Sequence, residues 1–310
     1  MTYDIAIIGS GPAAYSASIY ASRYKLSNII LGKIIGGTIS EAHKVCNYPG
    51  TPDISGIELG MKFEKQAKEQ GGEVRYESVI DIWRDSEEDI FHIMTETNNN
   101  QYDAKTIILA TGTERNKLMI PGEDKYLGKG LSYCATCDAM FYKGKTVAVV
   151  GGKNAAVMSA CMLSDIAKKV YVIYRGTEFS GEPVWIDQLN SRANIEVIFE
   201  TLPTGFEGEP RLERIKLSKP YKGQDSVSAD GVFIEIGSEP NAKMPELLGV
   251  EVDEKKYIKV DQSQATNIPG IWAAGDCTTA SNGFRQVVTA VAEGGIAANA
   301  IFKYLSGVKN

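Results

Sequence analysis

Cysteine is scarce in this chain: 310 residues hold five, at Cys46, Cys134, Cys137, Cys161 and Cys277. A structural disulfide framework needs denser, paired cysteines in an exported protein, so none is expected here. Histidine is scarcer still, with only His43 and His92. Neither stands at ligand spacing from the single C-x-x-C, and no second C-x-x-C exists, so no metal site is expected. No stretch approaches the roughly 18 consecutive apolar residues of a membrane-spanning helix, so no membrane association is expected. The opening Met1-Thr2-Tyr3-Asp4 runs directly into an apolar strand, without a basic region, apolar core and cleavage site. A cytoplasmic location is therefore expected. Basic patches are also missing. Lys and Arg number 33 against 39 Asp and Glu, a net charge of -6, so nucleic acid is an unsuitable partner. The polar run Asn98 to Gln101 is too short to be a disordered segment.

What is present is a globular composition, 43% hydrophobic and 23% charged, in a chain long enough for two domains. Thirty-one glycines suit a fold with several tight backbone approaches to a ligand. The apolar run Ile5 to Ile8 meets Gly9-Ser10-Gly11-Pro12-Ala13-Ala14, and a small-residue helix then continues to about Tyr24. Ser27 to Leu31 reads as the next strand. This is half of a dinucleotide-binding fold: Gly9 permits the turn, Gly11 admits a pyrophosphate, and Ala14 allows close helix–strand packing. No acidic residue follows Leu31 to grip an adenosine ribose. Glu58 to Gln70 reads as a helix ended by Gly71-Gly72. Short strands follow around Val74 to Ile82, Phe91 to Thr95 and Thr106 to Leu109.

The pattern repeats from Thr146, with a strand Val147 to Val150, the turn Gly151-Gly152-Lys153-Asn154-Ala155-Ala156 and a helix to about Ala167. Val170 to Tyr174 is the following strand, and Glu196 to Glu200, Arg214 to Leu217 and Gly231 to Ile236 read as further ones. A last small-residue helix spans about Gln286 to Leu305. The second turn is altered, because Lys153 replaces the glycine that lets a pyrophosphate approach. Its ammonium could instead meet phosphate, and Arg175 is the single cation beyond the next strand. A vestigial nicotinamide site and a working one both fit these residues. Between the two units lies Cys134-Ala135-Thr136-Cys137-Asp138, a spacing that closes a small disulfide ring and suits dithiol–disulfide exchange. Asp138 stands where it could carry a proton, or could be a solvated turn residue. Cys161 reads as a buried small hydrophobe.

Together these stretches resemble the low-molecular-weight flavin thioredoxin reductases over essentially the whole chain. The matching motifs are Gly9-Ser10-Gly11-Pro12-Ala13-Ala14, Asn47-Tyr48-Pro49-Gly50, Ala110-Thr111-Gly112, Cys134 to Asp138, Ala274-Gly275-Asp276 and Phe284 to Gly294. The resemblance implies an α/β fold of two nested, Rossmann-like dinucleotide-binding domains of three-layer ββα type. An FAD domain would comprise residues 1–114 and 246–310, with a redox-disulfide domain, 115–245, inserted. FAD would lie over Gly9, Gly11, Pro12 and Ala13, with Asp276 and Gly275 toward its ribityl or phosphate end. Gly37, Thr38, Asn47, Thr111, Gly112, Arg285, Gln286 and Val287 would complete the pocket. Cys137 would take electrons from the flavin, Cys134 would attack thioredoxin, and Asp138 would handle the proton. The resemblance also implies a homodimer.

Departures from the family pattern fall on the nicotinamide site. Gly-Gly-Gly-Asp-Ser-Ala becomes Gly151 to Ala156 with Lys153, and a His-Arg-Arg clamp becomes Tyr174-Arg175-Gly176, with Ser180 where a further Arg is usual. The expectation is a non-functional NAD(P)H site and a branch fed by reduced ferredoxin or flavodoxin. Conventional NADPH-dependent thioredoxin reduction is the alternative. Lesser departures are Thr38 for glutamine and Ala139 for glycine.

Overall fold

The computed structural model describes residues 1–85, 87–97 and 100–307, so Asn98 and Asn99 of the polar run lie outside it. The described residues divide into two compact units, Met1–Glu114 with Glu239–Asn310, and Arg115–Ser238.

The first unit begins β1 (Thr2–Ile8), α1 (Pro12–Arg23), β2 (Asn28–Leu31), α2 (Gly56–Glu69), β3 (Glu73–Arg75), β4 (Val79–Asp85), β5 (Ile90–Thr95), β6 (Gln101–Leu109) and β7 (Thr113–Arg115). The apolar stretch expected around Val74 to Ile82 is thus two strands, which pair in different places. β3 edges the parallel ladder against β2, whereas β4 and β5 form an antiparallel meander. Helix α2 starts earlier than expected because Ser55 caps it: the Ser55 hydroxyl accepts the Glu58 N–H and Glu58 reaches back to the Ser55 N–H.

The second unit holds α3 (Glu123–Tyr126), β8 (Leu131–Ser132), α4 (Ala135–Asp138), β9 (Thr146–Val150), α5 (Asn154–Ser164), β10 (Lys169–Ile173), α6 (Pro183–Asn190) and β11 (Ile195–Ile198). It continues with β12 (Pro203–Glu207), β13 (Arg214–Tyr221), β14 (Gln224–Ser228) and β15 (Gly231–Ile234). Its parallel sheet runs β11-β10-β9-β15-β8, and β12-β13-β14 form a separate antiparallel sheet. Helix α5 stops at Ser164 rather than near Ala167, since the Asp165 and Ile166 N–H groups turn back to Met162 and Leu163. Sequence reading missed β12 and β14, which are short and mostly polar, and α6, which Pro183 opens at its first position.

β16 (Ser238–Pro240) pairs with β7 where the chain passes between units. The return to the first unit begins at Glu239, earlier than residue 246 as read from the sequence, and brings α7 (Lys243–Leu247), β17 (Ile271–Ala273) and α8 (Val287–Ser306).

In both units the parallel strands are buried on both faces, which is why they read as unbroken apolar runs. Alternate residues feed opposite cores. Ile5, Ile7, Ile30 and Ile108 pack on α1, α2 and α8, whereas Ala6, Ile8, Ile107 and Leu109 pack on the β4–β5 layer with Ile82, Phe91 and Ile93. The second unit repeats the plan. Val147, Val149 and Val172 face α5 and α6; Ala148, Val150 and Ile234 face Ile215 and Val227 of the three-stranded sheet. Each fully buried Val or Ile contributes about 1.5–3 kcal/mol. Two sheets with helices on one face and a small β layer on the other give the three-layer ββα plan twice.

Helix α8 crosses α1 at bare main chain: a Cβ on Gly294 would lie 2.1 Å from the Ala13 carbonyl oxygen. Alanine is favoured over glycine in a helix by about 1 kcal/mol. The overlap here falls on backbone that cannot rotate away, so it dominates. Gly294→Ala is expected to destabilise the protein by about 1–3 kcal/mol, read from urea unfolding midpoints. Gly295→Ala, which would meet only the Tyr20 ring at 3.1 Å, is expected to be milder.

Candidate flavin and disulfide sites

The parallel strands of the first unit end together, and their loops make the site. Ile8, Leu31, Leu109 and Ala273 are the last residues of β1, β2, β6 and β17 and lie in register. Gly9 leaves β1 at φ +120°, where a Cβ would strike the Ala110 oxygen at 2.1 Å, so only glycine serves. At Gly11 the reverse holds: the position its side chain would fill is open, with only the Gly36 oxygen at 3.9 Å. Pro12 occupies the first turn of α1, and no side chain caps that helix. An open main-chain corner at an uncapped helix N-terminus suits a pyrophosphate.

Two of the other expected residues, Gly37 and Gly275, abut this corner, and the rest are tied to one another in neighbouring loops. A Cβ on Gly37 would lie 3.2 Å from Gly11 Cα, and one on Gly275 would lie 3.0 Å from Ala13 Cβ. Gly32 abuts Ser10 so closely that a side chain at 32 would overlap it, which accounts for the missing acidic residue after β2. Asn47 donates to Gln286 Oε1 at 3.0 Å, linking the Asn47 loop to the start of α8, where Val287 is the first helical residue. Thr38 Oγ1 donates to the Thr113 oxygen at 3.5 Å, close to Thr111 and Gly112 in sequence. Arg285 Nε donates to the Asp276 carbonyl at 3.2 Å, and its guanidinium lies 3.6 Å from the Tyr257 ring centre.

Burial pushes the Asp276 carboxyl up to about 6; Arg285 opposes the shift and Glu293 adds to it. An acid held in that state gains from hydroxyl donors such as those of a ribityl chain. The open corner, the uncapped helix and this carboxyl together fit FAD. Sequence reading passed over Glu293, although an acid isolated among Ala and Gly in Val291-Ala292-Glu293-Gly294 is a signal. Buried at 4% exposure, it accepts the Gly275 N–H at 2.8 Å, the Thr278 hydroxyl at 3.1 Å and the Ser281 hydroxyl at 2.6 Å. Ser281 and Asn282 both have positive φ, so Glu293 ties a constrained loop to the Asp276 turn.

In the second unit Cys134 and Cys137 are joined in a disulfide. Cys137 is exposed and Cys134 half-buried. The Cys137 N–H donates to Cys134 Sγ at 3.2 Å, and the Asp138 N–H donates to the Cys134 oxygen at 3.3 Å. Ser132 Oγ accepts the Cys134 N–H at 3.0 Å and donates to its oxygen at 3.2 Å. Ala135 and Ala139 on either side are buried in the α5 core, so Ala139 serves as a packing methyl. Burial, and then the charge of Asp138, raise the Tyr142 hydroxyl above its ordinary range. The remaining cysteines divide by burial. Cys161 and Cys277 are buried, the Cys277 thiol being pushed up to about 11, whereas Cys46 is exposed. Among the described residues no cluster of His, Cys, Asp and Glu could hold a metal.

The second glycine turn keeps Gly151 at φ +142°, but Lys153 is exposed and has no side-chain capping bond to α5. The Tyr174 ring lies against Gly152, where a Cβ would sit 2.4 Å from its carbons, and stacks with Phe179 at 6.1 Å. Arg175 is exposed.

A family model described as pyridine nucleotide-disulphide oxidoreductase matches residues 3–294. A thioredoxin reductase of Mycoplasma genitalium is 38% identical over 294 residues, 94% of this chain and 92% of that protein. The crystal structure of Lactococcus lactis thioredoxin reductase (FR conformation) matches with a TM-score of 0.92 and 32% identity, covering 99% of this chain and 100% of that one. A ferredoxin-flavin thioredoxin reductase from Clostridium acetobutylicum matches with a TM-score of 0.52 and 35% identity, covering 98% and 99%. Among the described residues no helix is long and apolar enough to cross a membrane.

Because the Asp276 carboxyl is harder to ionise folded than unfolded, it lowers stability once pH is high enough to ionise it in the unfolded chain. The cofactor-free protein is expected to lose stability as pH rises from about 4 to about 6 and to stay lower above. Asp276→Asn is expected to remove that fall in urea midpoints and to weaken FAD binding at pH 8 at least tenfold.

Proposed function

The chain belongs to the low-molecular-weight flavin thioredoxin reductases, within the pyridine nucleotide-disulphide oxidoreductases, and on that premise we propose that it reduces the disulfide of a thioredoxin through FAD and the Cys134–Cys137 pair. Bound FAD supplies the conversion of donor electrons into a pair that a disulfide can accept. Two electrons and two protons open the Cys134–Cys137 ring to a dithiol. That dithiol closes again as the partner's disulfide becomes two thiols.

In this reading Cys137 receives the electrons and Cys134 attacks the partner. The Cys137 N–H directed at Cys134 Sγ favours negative charge on that sulfur once the ring opens, as an attacking thiolate requires. Asp138, next to Cys137 in the chain, carries the proton that leaves or rejoins the pair in this reading.

The donor in our reading is a one-electron carrier of the ferredoxin or flavodoxin class, with two carriers oxidised per disulfide. Lys153 supports it, because the position at which a pyrophosphate approaches the main chain carries a side chain there in place of glycine. A second reading, NADPH as donor, has the broader set of relatives behind it. The matching family is described by pyridine nucleotide, and most similar proteins are named simply thioredoxin reductase. In this chain it draws on the intact Gly151 turn and the exposed Lys153 ammonium.

Anaerobic titration of the flavin-loaded protein, followed by its visible absorbance, separates the two. Reduced ferredoxin is expected to bleach the flavin and, with thioredoxin present, to yield thioredoxin thiols; stoichiometric NADPH is expected to leave it yellow. Prompt bleaching by NADPH would establish the second reading. Cys134→Ser and Cys137→Ser are each expected to abolish thioredoxin reduction under either donor.

A further inference from the structure

Glu123 is a buried carboxylate of the second unit, 4% exposed, and it opens α3. Gly122 before it, at φ +92°, lies so close to β12 that a Cβ would meet the Phe206 oxygen at 2.7 Å. That approach seats the start of α3 on the sheet, with the Phe206 N–H donating to the Pro121 oxygen at 3.0 Å. The Glu123 carboxylate then collects three donors from two stretches of chain. Its Oε1 accepts the Leu118 N–H at 2.8 Å and the Tyr133 hydroxyl, and its Oε2 accepts the Met119 N–H at 2.6 Å. Met119 is held at φ +57°, a left-handed conformation uncommon outside glycine. All three donors are neutral, so hydrogen bonds rather than a counter-charge offset the removal of this carboxylate from water. Tyr133 is the residue immediately before Cys134, and its ring packs on the core that holds Phe206 and Ile215. Ala135, immediately after Cys134, is buried in the opposite core, against α5.

We propose that Glu123 is the positioning residue for Cys134, acting through the Tyr133 hydroxyl to fix the direction from which the attacking sulfur meets a protein disulfide. The inference rests on the reading above that Cys134 attacks the partner, and it holds for either electron donor. In that exchange the Cys134 thiolate bonds to one partner sulfur, and the partner's sulfur–sulfur bond breaks to leave its other sulfur as a thiolate. Cys137 then loses its proton and attacks the Cys134 sulfur, which closes the ring and releases the second partner sulfur. Each attack is directed at one particular sulfur on a folded protein, so the entering sulfur must be held in a set direction. Cys134 meets that need between two anchors, Tyr133 in one core and Ala135 in the other, while Ser132 brackets its own peptide groups. Burial, and then the hydrogen bond to Glu123, raise the Tyr133 hydroxyl above its ordinary range, so it stays a donor throughout. Neither Glu123 nor Tyr133 exchanges a proton with the sulfurs.

The test uses the flavin-loaded protein, reduced with dithiothreitol under anaerobic conditions, desalted and mixed with an acceptor at a series of concentrations. One acceptor is oxidised thioredoxin; the other is a small aromatic disulfide, dithiobisnitrobenzoate, which can approach from any side. Tyr133→Phe keeps the ring and removes only the hydroxyl, and Glu123→Gln keeps the size of the side chain. Tyr221→Phe is the control, since it loses a comparable hydroxyl–carboxylate bond, to Glu196, elsewhere in the unit. In Tyr133→Phe the maximal rate with thioredoxin is expected to fall about tenfold, with half-saturation and the small-disulfide rate each within about twofold of the unmodified protein. Glu123→Gln is expected to lose at least as much, and Tyr221→Phe to match the unmodified protein with both acceptors. Should Glu123→Gln fail to fold, Tyr133→Phe decides, its folding read from retained flavin. Full thioredoxin rates in Tyr133→Phe would overturn the proposal. Equal losses with both acceptors would also overturn it, by tracing the effect to thiol reactivity or folding rather than to direction. An unmodified protein that reduces the small disulfide but not thioredoxin would overturn the acceptor reading, and the proposal with it.

Discussion

Main chain meeting main chain without side chains between is the constraint on which the first unit depends. Gly9 against the Ala110 oxygen and Gly294 against the Ala13 oxygen, with Gly275 on the Ala13 methyl beside them, draw β1, β6, β17, α1 and α8 onto one corner. None of these contacts is strong in itself. Their effect is to place loop ends that lie far apart in sequence within a few ångströms of one another. The polar groups then need little further positioning. Glu293 fixes the Gly275 turn, and the Asn47–Gln286 pair fixes the opposite rim.

The same architecture in the second unit is used differently. Its strands and helix keep the geometry of a dinucleotide domain, with Gly151 in the left-handed region and α5 following directly. Yet Tyr174 follows β10 directly, and the disulfide pair belongs to a separate short segment, Cys134 capping α4 and Cys137 lying within it, packed on the α5 core. The two turns differ in a few side chains, Lys153 standing where the first unit has Gly11.

The two strand–turn–helix units were legible because parallel strands buried on both faces are uninterrupted apolar runs, and because each turn needs glycine for steric reasons. The C-x-x-C was legible because its chemistry depends on local spacing alone. What escaped notice depends on distant partners. Glu293 is unremarked in sequence until Gly275, Thr278 and Ser281 fold around it. The strands β12 and β14 are five residues each and too poor in buried apolar side chains to show an alternation, Val227 being the single buried residue of β14. Lys153 and Tyr174 are legible as departures from the family pattern, but the packing of the Tyr174 ring on Gly152 is a contact between two separate stretches.

The anchoring of the disulfide segment has a kinetic consequence. Ala135 and Ala139 hold the short helix from below, and Ser132 brackets Cys134 through both of its backbone polar groups. Breaking or forming the sulfur–sulfur bond therefore changes the distance between two side-chain atoms and little else. Such a centre has a small backbone reorganisation cost per cycle.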